Sequence, residues 1–314
     1  MSEFSGLRVA VLVPCYNEEV AIPVVVASFQ RVLPGATIYV YDNNSADGTA
    51  VAARAAGAIV RRERLQGKGH VIRRMFADVD ADLYVMVDGD ATYDAGAAPA
   101  MVRLLLDERL DMVNGARVSE VAAAYRRGHR FGNHVLTAIV AYIFGNRLSD
   151  VLSGYRVFSR RFVKSFPALA EGFEAETEFT VHALELRMPI AEVETVYKDR
   201  PQGSESKLRT YTDGWRILRT IILLVKEERP LQFFMLAAAV LMAVAIGAGI
   251  PVVLDYMRTG LVPRLPTAVL ATGLVVLAML SSACGLILDS VTRGRKEMKR
   301  MAYLAEPAPG WPQG

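Results

Sequence analysis

The 314-residue sequence predicts an α/β domain on a mainly parallel sheet, followed by two transmembrane helices. Three observations predict it. From Arg8 to Gly115 short continuous apolar runs alternate with amphipathic stretches, and two apolar stretches of membrane-crossing length lie near the C-terminus. The composition also falls between classes. With 52% hydrophobic residues and a mean hydropathy of +0.25 the chain is too apolar for an ordinary soluble protein, and at 22% charged it is too polar for a wholly integral one.

The runs Val9 to Val13, Thr37 to Tyr41, Ala58 to Val60, Leu83 to Val87 and Met112 to Val113 read as strands. They are continuous rather than alternating, as expected for strands covered on both faces, and strand-helix repetition predicts a parallel sheet with helices on each side. Ligands of such sheets bind beyond the carboxyl ends of the strands. Every chemically suggestive cluster of the first half sits at such an end.

The spans run from Leu231 to Leu254 and from Thr267 to Leu288, each near the ~20 residues that cross a bilayer core. The link Asp255 to Pro266 carries only Arg258 and Arg264. Arg216, Arg219, Lys226 and Arg229 precede the pair, and Arg293, Arg295, Lys296, Lys299 and Arg300 follow it, so both outer flanks are expected on the cytoplasmic side. Asp213 to Glu228, with Ile217, Ile221, Leu224 and Val225 on one side, predicts an interfacial helix. Phe131 to Phe144 fits either an interfacial or a core-packing helix. The expected division is a cytoplasmic domain over 1–210, a juxtamembrane helix over 211–230, two spans with a short non-cytoplasmic loop over 231–289, and a basic cytoplasmic tail over 290–314.

Two cysteines, Cys15 and Cys284, make no disulfide framework, and the first residues show no signal-peptide pattern, so a reducing, cytoplasmic domain is expected. The four histidines, His70, His129, His134 and His182, have no zinc-ligand spacing. The net charge of +3 decides nothing by itself, but the basic clusters adjoin the spans rather than interleave with exposed aromatics, which argues against nucleic-acid binding.

Four clusters carry chemistry. Pro14, Tyr16, Asn17 and Glu18 close the first strand and face a ligand crevice, or serve as helix capping. Asp42 and Asn43 close the second and are placed to hydrogen-bond a base or ribose, while Asp47 suits a helix cap. Gln66-Gly67-Lys68-Gly69-His70 opens a helix with a cation near its N-terminus, which favours an anionic ligand without matching a Walker motif. Asp88-Gly89-Asp90 ends the fourth strand with two carboxylates one residue apart, which suits either a divalent cation bridging them to a diphosphate or an Asp-rich turn that stays solvated.

Together the four clusters resemble family 2 glycosyltransferases, which have the GT-A fold, a Rossmann-like domain. Downstream, Asp150-Val151-Leu152-Ser153-Gly154-Tyr155-Arg156 and Arg200-Pro201-Gln202-Gly203-Ser204-Glu205-Ser206-Lys207 resemble motifs of dolichyl-phosphate mannose synthases and bacterial polyprenyl-phosphate glycosyltransferases. The resemblance covers Arg8 to Arg229 and extends to the paired spans. It implies that Pro14, Tyr16, Asn17, Glu18, Asp42, Asn43, Lys68, Asp88, Gly89 and Arg117 bind the nucleotide sugar, with Asn43 standing where the family commonly has a second Asp. It implies that Asp88 and Asp90 hold Mg2+ or Mn2+, Asp90 the more directly, and that Arg130, Arg156, Arg200 and Lys207 grip the acceptor phosphate.

Asp90 and Asp150 are then the catalytic candidates. Asp150 is the family's candidate base; its alternative role is to pair with Arg156 or anchor its loop. A polyprenyl phosphate, whose second ionisation lies near pH ~6, is already largely anionic and needs orienting cations more than a strong base. The implied reaction inverts the anomeric centre by single in-line attack. Glu176 and Glu178 suit either an acceptor-lining or a structural role. The implied partners are a nucleotide sugar donor, a polyprenyl phosphate and membrane lipids, with homo-oligomerisation left open. Rival readings are a processive polysaccharide synthase, against which stands the missing Gln-x-x-Arg-Trp motif, a transferase to a non-prenyl acceptor, and an inactive nucleotide-sugar sensor.

Overall fold

The computed structural model describes residues 4, 6–118, 148–169, 175–198, 226 and 228–310. Two compact units divide the chain: Met1–Ile217 with Met298–Gly314, and Leu218–Glu297.

The first unit holds a seven-stranded sheet made of β1 (Val9–Cys15), β2 (Thr37–Asp42), β3 (Ile59–Arg62), β4 (Leu83–Met86), β5 (Met112–Val118), β6 (Arg156–Ser159) and β7 (Ile190–Val196), in the order β3-β2-β1-β4-β6-β5-β7. Pairing is parallel throughout except at β6, which runs antiparallel to both neighbours. The sheet is therefore the mainly parallel, Rossmann-like GT-A arrangement that the apolar runs and the resemblance predict, with β6 and β7 added beyond the strands read from the sequence.

Residues of β1 alternate between two cores, which is why its run is continuously apolar. Val9, Val11 and Val13 pack with α1 (Ile22–Val32) and α4 (Ala98–Asp107) on one face. Ala10 and Leu12 pack with α3 (Lys68–Asp78), α5 (Arg160–Ser165) and α6 (Ala175–Glu185) on the other. The short α2 (Thr49–Ala55) follows β2.

Strand order reverses between β1 and β4, so the loops after these two strands open the crevice where such sheets bind ligands. β6 contributes from the opposite direction. Met86 lies opposite Arg156, so the loop ending at Tyr155 enters the sheet at the end where β4 leaves it.

The second unit contains α7 (Pro230–Thr259) and α8 (Leu265–Leu304) up to Glu297. Each holds an 18-residue stretch apolar enough to cross a membrane, with a mean hydropathy over that stretch of 2.5 in α7 and 2.1 in α8, and each helix extends beyond the span read from the sequence. Apart from Pro230 at the start of α7, their buried positions recur every seventh residue, Ala238, Ala245 and Val252 on α7 and Ala278, Gly285 and Thr292 on α8. This is the spacing of close helix packing. A methyl on Gly285 would come within 3.0 Å of the Phe234 Cβ, and the Ser281 hydroxyl donates to the Phe234 carbonyl at 2.9 Å. Asp255 and Arg264 pair at 3.2 Å across the connecting turn, in which Gly260 takes a φ of 70°.

Residues beyond Glu297 belong to the first unit. Lys299 pairs at 2.7 Å with Glu185, whose side chain is 2% exposed, and the Tyr303 hydroxyl donates to the fully buried Asp111 at 2.9 Å. The Arg161 guanidinium lies 4.7 Å over the Tyr303 ring, and Arg160 pairs with Glu306 at 2.9 Å. The segment read as a basic tail thus packs on the sheet domain through its last helical turns. The expected helices over Phe131–Phe144 and Asp213–Glu228 lie outside the described residues, apart from Lys226 and Glu228.

Candidate active site

The loops after β1 and β2 are tied to each other by their polar residues. Asn17, in the left-handed region at φ 54°, donates its backbone N–H to Ser45 Oγ at 2.9 Å and accepts from Ala46 N at 2.8 Å. The Glu18 N–H donates to Thr49 Oγ1 at 2.8 Å, and the Glu19 carboxylate accepts from Gly48 N at 2.9 Å. Pro14 is buried in β1, the Tyr16 ring is exposed, and Asp42 is 6% exposed and accepts from Ser45 N at 3.2 Å. Asn43 commits its side chain to the loop before α3: its amide donates to the Glu63 and Leu65 carbonyls and its oxygen accepts from Gly67 N at 2.8 Å. It therefore shapes the Gln66-Gly67-Lys68 turn, and its amide donors are no longer open to a base. Gly67, at φ 136°, occupies backbone space that favours glycine.

Asp88, Gly89 and Asp90 leave β4 beside the end of β1. Gly89 lies so close to Cys15 Sγ that any side chain would collide with it. Asp90 is 5% exposed and accepts from the Thr92 hydroxyl at 2.6 Å. The Cys15 thiol registers the charge around it: burial raises its pKa well above the usual value, and the carboxylates of Glu18, Asp42, Asp88 and Asp90 add to that. A crevice this rich in negative potential favours a cation.

Lys68, the first residue of α3, sends its ammonium to Asp88 Oδ1 and Glu176 Oε1, 2.5 Å from each. Burial opposes its charge, yet the two carboxylates outweigh burial and hold its pKa above the ordinary lysine value. Burial pushes the Glu176 carboxyl up against the opposing pull of Lys68. On the other side of Asp88 stands Gly154, whose N–H donates to the buried Tyr93 hydroxyl at 2.9 Å.

Asp150 and Arg117 form a two-point pair, Nε to Oδ2 at 2.6 Å and Nη2 to Oδ1 at 2.8 Å, and Leu152 N also donates to Oδ1 at 3.2 Å. Glu192 on β7 fixes this loop by accepting from Ser149 N at 3.0 Å and from the Asn114 amide at 2.8 Å, while the same amide donates to the Asp150 carbonyl at 2.9 Å. Arg117 lies 5.7 Å from the centre of the Tyr197 ring. Of the two roles open to Asp150, the geometry favours orientation, since both its oxygens are engaged, with Arg117 rather than Arg156 as its partner.

Arg156 corrects an expectation. Instead of facing an acceptor phosphate it is fully buried, donating to the Val151 carbonyl at 2.7 Å, the Ser153 carbonyl at 3.0 Å and Thr180 Oγ1 at 2.9 Å, with its guanidinium 5.6 Å from the centre of the Phe179 ring. Burial lowers its pKa to about 10. Its role is to hold the 151–153 turn from beneath. Arg130, Arg200 and Lys207 lie outside the described residues.

The structure thus brings Lys68, Asp88, Gly89 and Asp90 together with Gly154, and pairs Arg117 with Asp150. Glu192, Tyr93 and the bridging function of Glu176 were not read from the sequence. Glu192 carried no signal of its own, since Glu194 two residues on repeats the same acidic position in the strand, and Tyr93 carried none.

Comparison with known proteins agrees with this architecture. The family described as Glycosyl transferase family 2 matches residues 10–166. The chain is 32% identical over 301 residues to glycosyltransferase AglJ of Haloferax volcanii, across 94% of this chain and 98% of that protein. It is 29% identical over 229 residues to the dolichyl-phosphate hexose transferase of the same organism, across 73% of this chain and 99% of that one. Among solved structures, glucosyl-3-phosphoglycerate synthase of Mycobacterium tuberculosis, in complex with Mn2+, UDP and glucosyl-3-phosphoglycerate, superposes with a TM-score of 0.58 at 24% identity, covering 71% of this chain and 80% of that chain. This last likeness shows the fold.

Proposed function

The chain belongs to glycosyl transferase family 2, and from that premise we propose that it moves a sugar, with inversion, from a nucleotide diphosphate sugar to a polyprenyl phosphate at the cytoplasmic face of a membrane. The observation that carries this reading is one chain joining paired carboxylates at the end of β4 to two helices of membrane-crossing length. The relationship to a dolichyl-phosphate hexose transferase supports the same acceptor class. That Met298–Gly314 belongs to the same unit as the sheet domain supports placing both flanks of the apolar pair on one side of the bilayer. The basic flanks support assigning that side to the cytoplasm.

Asp88 and Asp90 fit a divalent cation. Mg2+ takes one or two carboxylates and completes its shell with water and substrate phosphates, so these two residues suffice without a closed cage. Such an ion, when bound, stabilises charge growing on the departing diphosphate. The chain's own residues do the rest. Arg117, held by Asp150, adds a fixed positive charge near the leaving group, and the Asp42 and Tyr16 loops frame the nucleotide. Asp150 orients Arg117 and needs no proton from the acceptor, because a phosphate oxygen is already a nucleophile at neutral pH.

The test reconstitutes the full chain in lipid vesicles with labelled UDP- and GDP-sugars, and offers polyprenyl phosphate or 3-phosphoglycerate as acceptor. Label moving into the organic phase, abolished by EDTA and by alanine at both Asp88 and Asp90, is the expected result. Label appearing only in a water-soluble product overturns the acceptor assignment.

A further inference from the structure

We propose that Lys68 is a resident counter-ion for Asp88, and that Glu176 is a positioning residue that keeps Lys68 when a divalent cation takes Asp88 over. The proposal rests on the reading above, in which Asp88 and Asp90 receive that cation. Three features of this chain carry it.

The first is symmetry. The Lys68 ammonium sits 2.5 Å from both Asp88 Oδ1 and Glu176 Oε1, with its side chain only 10% exposed. One cation shared by two carboxylates is bound to neither exclusively, and the flexible lysine stem lets it shift toward either.

The second is capacity. Glu176 Oε2 is buried and has no hydrogen-bond partner among the described residues, and the side chain is only 6% exposed. A buried carboxylate oxygen left unsatisfied is costly, and here it is an acceptor in reserve for a lysine that has three donors. Were Asp88 its sole partner, displacing Lys68 would strand a buried ammonium, and that penalty would fall on cation binding. Glu176 removes the penalty by retaining Lys68.

The third is charge. Lys68, Asp88, Glu176 and Asp90 together leave two net negative charges, which one divalent cation neutralises. Lys68 also keeps Asp88 and Glu176 from repelling each other before that cation arrives.

Removing the bridge therefore has opposite effects depending on which partner goes. A merely structural triad would weaken cation binding in every variant. The experiment titrates Mn2+ alone into the detergent-solubilised full chain and follows free Mn2+ by electron paramagnetic resonance, with thermal unfolding as the folding control. Glu176→Gln, which leaves Lys68 on Asp88 alone, is expected to weaken Mn2+ binding by roughly tenfold, on the scale of a partly buried charge pair. The double variant Lys68→Met with Glu176→Gln removes one charge of each sign and frees Asp88. It is expected to bind Mn2+ about tenfold more tightly than the native protein. Equal or weaker binding by the double variant overturns the proposal, as does unchanged binding by Glu176→Gln. Asp90→Asn distinguishes the underlying reading: if it leaves native-like Mn2+ binding intact, the cation does not sit at these carboxylates, and the functional assignment fails before the counter-ion is at issue.

Discussion

Replacing Gly154 with alanine tests whether the position of Asp88, rather than its presence, governs transfer. The new methyl would overlap Asp88 Oδ2 and stand 2.8 Å from its Cγ, where ordinary contact begins at 3.4 Å. The carboxylate must retreat by roughly half an ångström or more, and Lys68 on its other oxygen resists that motion. Gly154 is absent from the positive-φ positions, so the backbone accepts alanine, and the atom that yields is the end of a side chain. The stability cost is therefore small, on the order of 1 kcal/mol. The catalytic cost is large, because misplacing a catalytic group by about 1 Å lowers rate by about a hundredfold. Initial rates of sugar transfer with saturating donor, measured beside the thermal midpoint, are the assay. Full activity with an unchanged midpoint would refute the idea that this loop sets the place of Asp88, and equal loss of both would make Gly154 a folding residue only.

Two further outcomes are expected. The Arg117 and Asp150 side chains are 15% and 8% exposed, so a double-mutant cycle with Arg117→Gln and Asp150→Asn should give a coupling of about 2 kcal/mol in denaturant unfolding; coupling near zero would remove the pair from the architecture of the site. Burial lowers the His182 pKa from 6.5 to about 3, with Lys299 adding to it, so the unfolded chain binds the extra proton between those values; the stability His182 contributes is present above about pH 6.5 and is lost as pH falls toward 3. His182→Gln, which can keep the bond to Ser165, should flatten the acid side of a thermal-midpoint profile, and an unaltered profile would show that another group controls it.

Much of the sheet was legible because β1, β2 and β4 are buried on both faces and read as unbroken apolar runs. β6 was not, since its four residues begin with Arg156, an arginine whose donors end on the Val151 and Ser153 carbonyls and on Thr180. β7 lies at the sheet edge, half-exposed along most of its length, and its Glu192 and Glu194 mask the alternation. The paired carboxylates stood out as neighbours in sequence. Glu176, 108 residues from Lys68, could not, because no local pattern marks a contact made only by the completed fold. The same holds for Arg117 with Asp150, 33 residues apart.

The Tyr303 contact has a consequence for biosynthesis. Asp111 is fully buried, and its hydroxyl donor from Tyr303 is translated 192 residues after it, in the last turn of the second apolar helix. Until then the nascent sheet carries a buried acid lacking one of its donors. A chain that stops short of these last turns leaves Asp111 to Ser159 and Arg161 alone, so the final residues made complete the hydrogen bonding of an acid laid down at the start of β5.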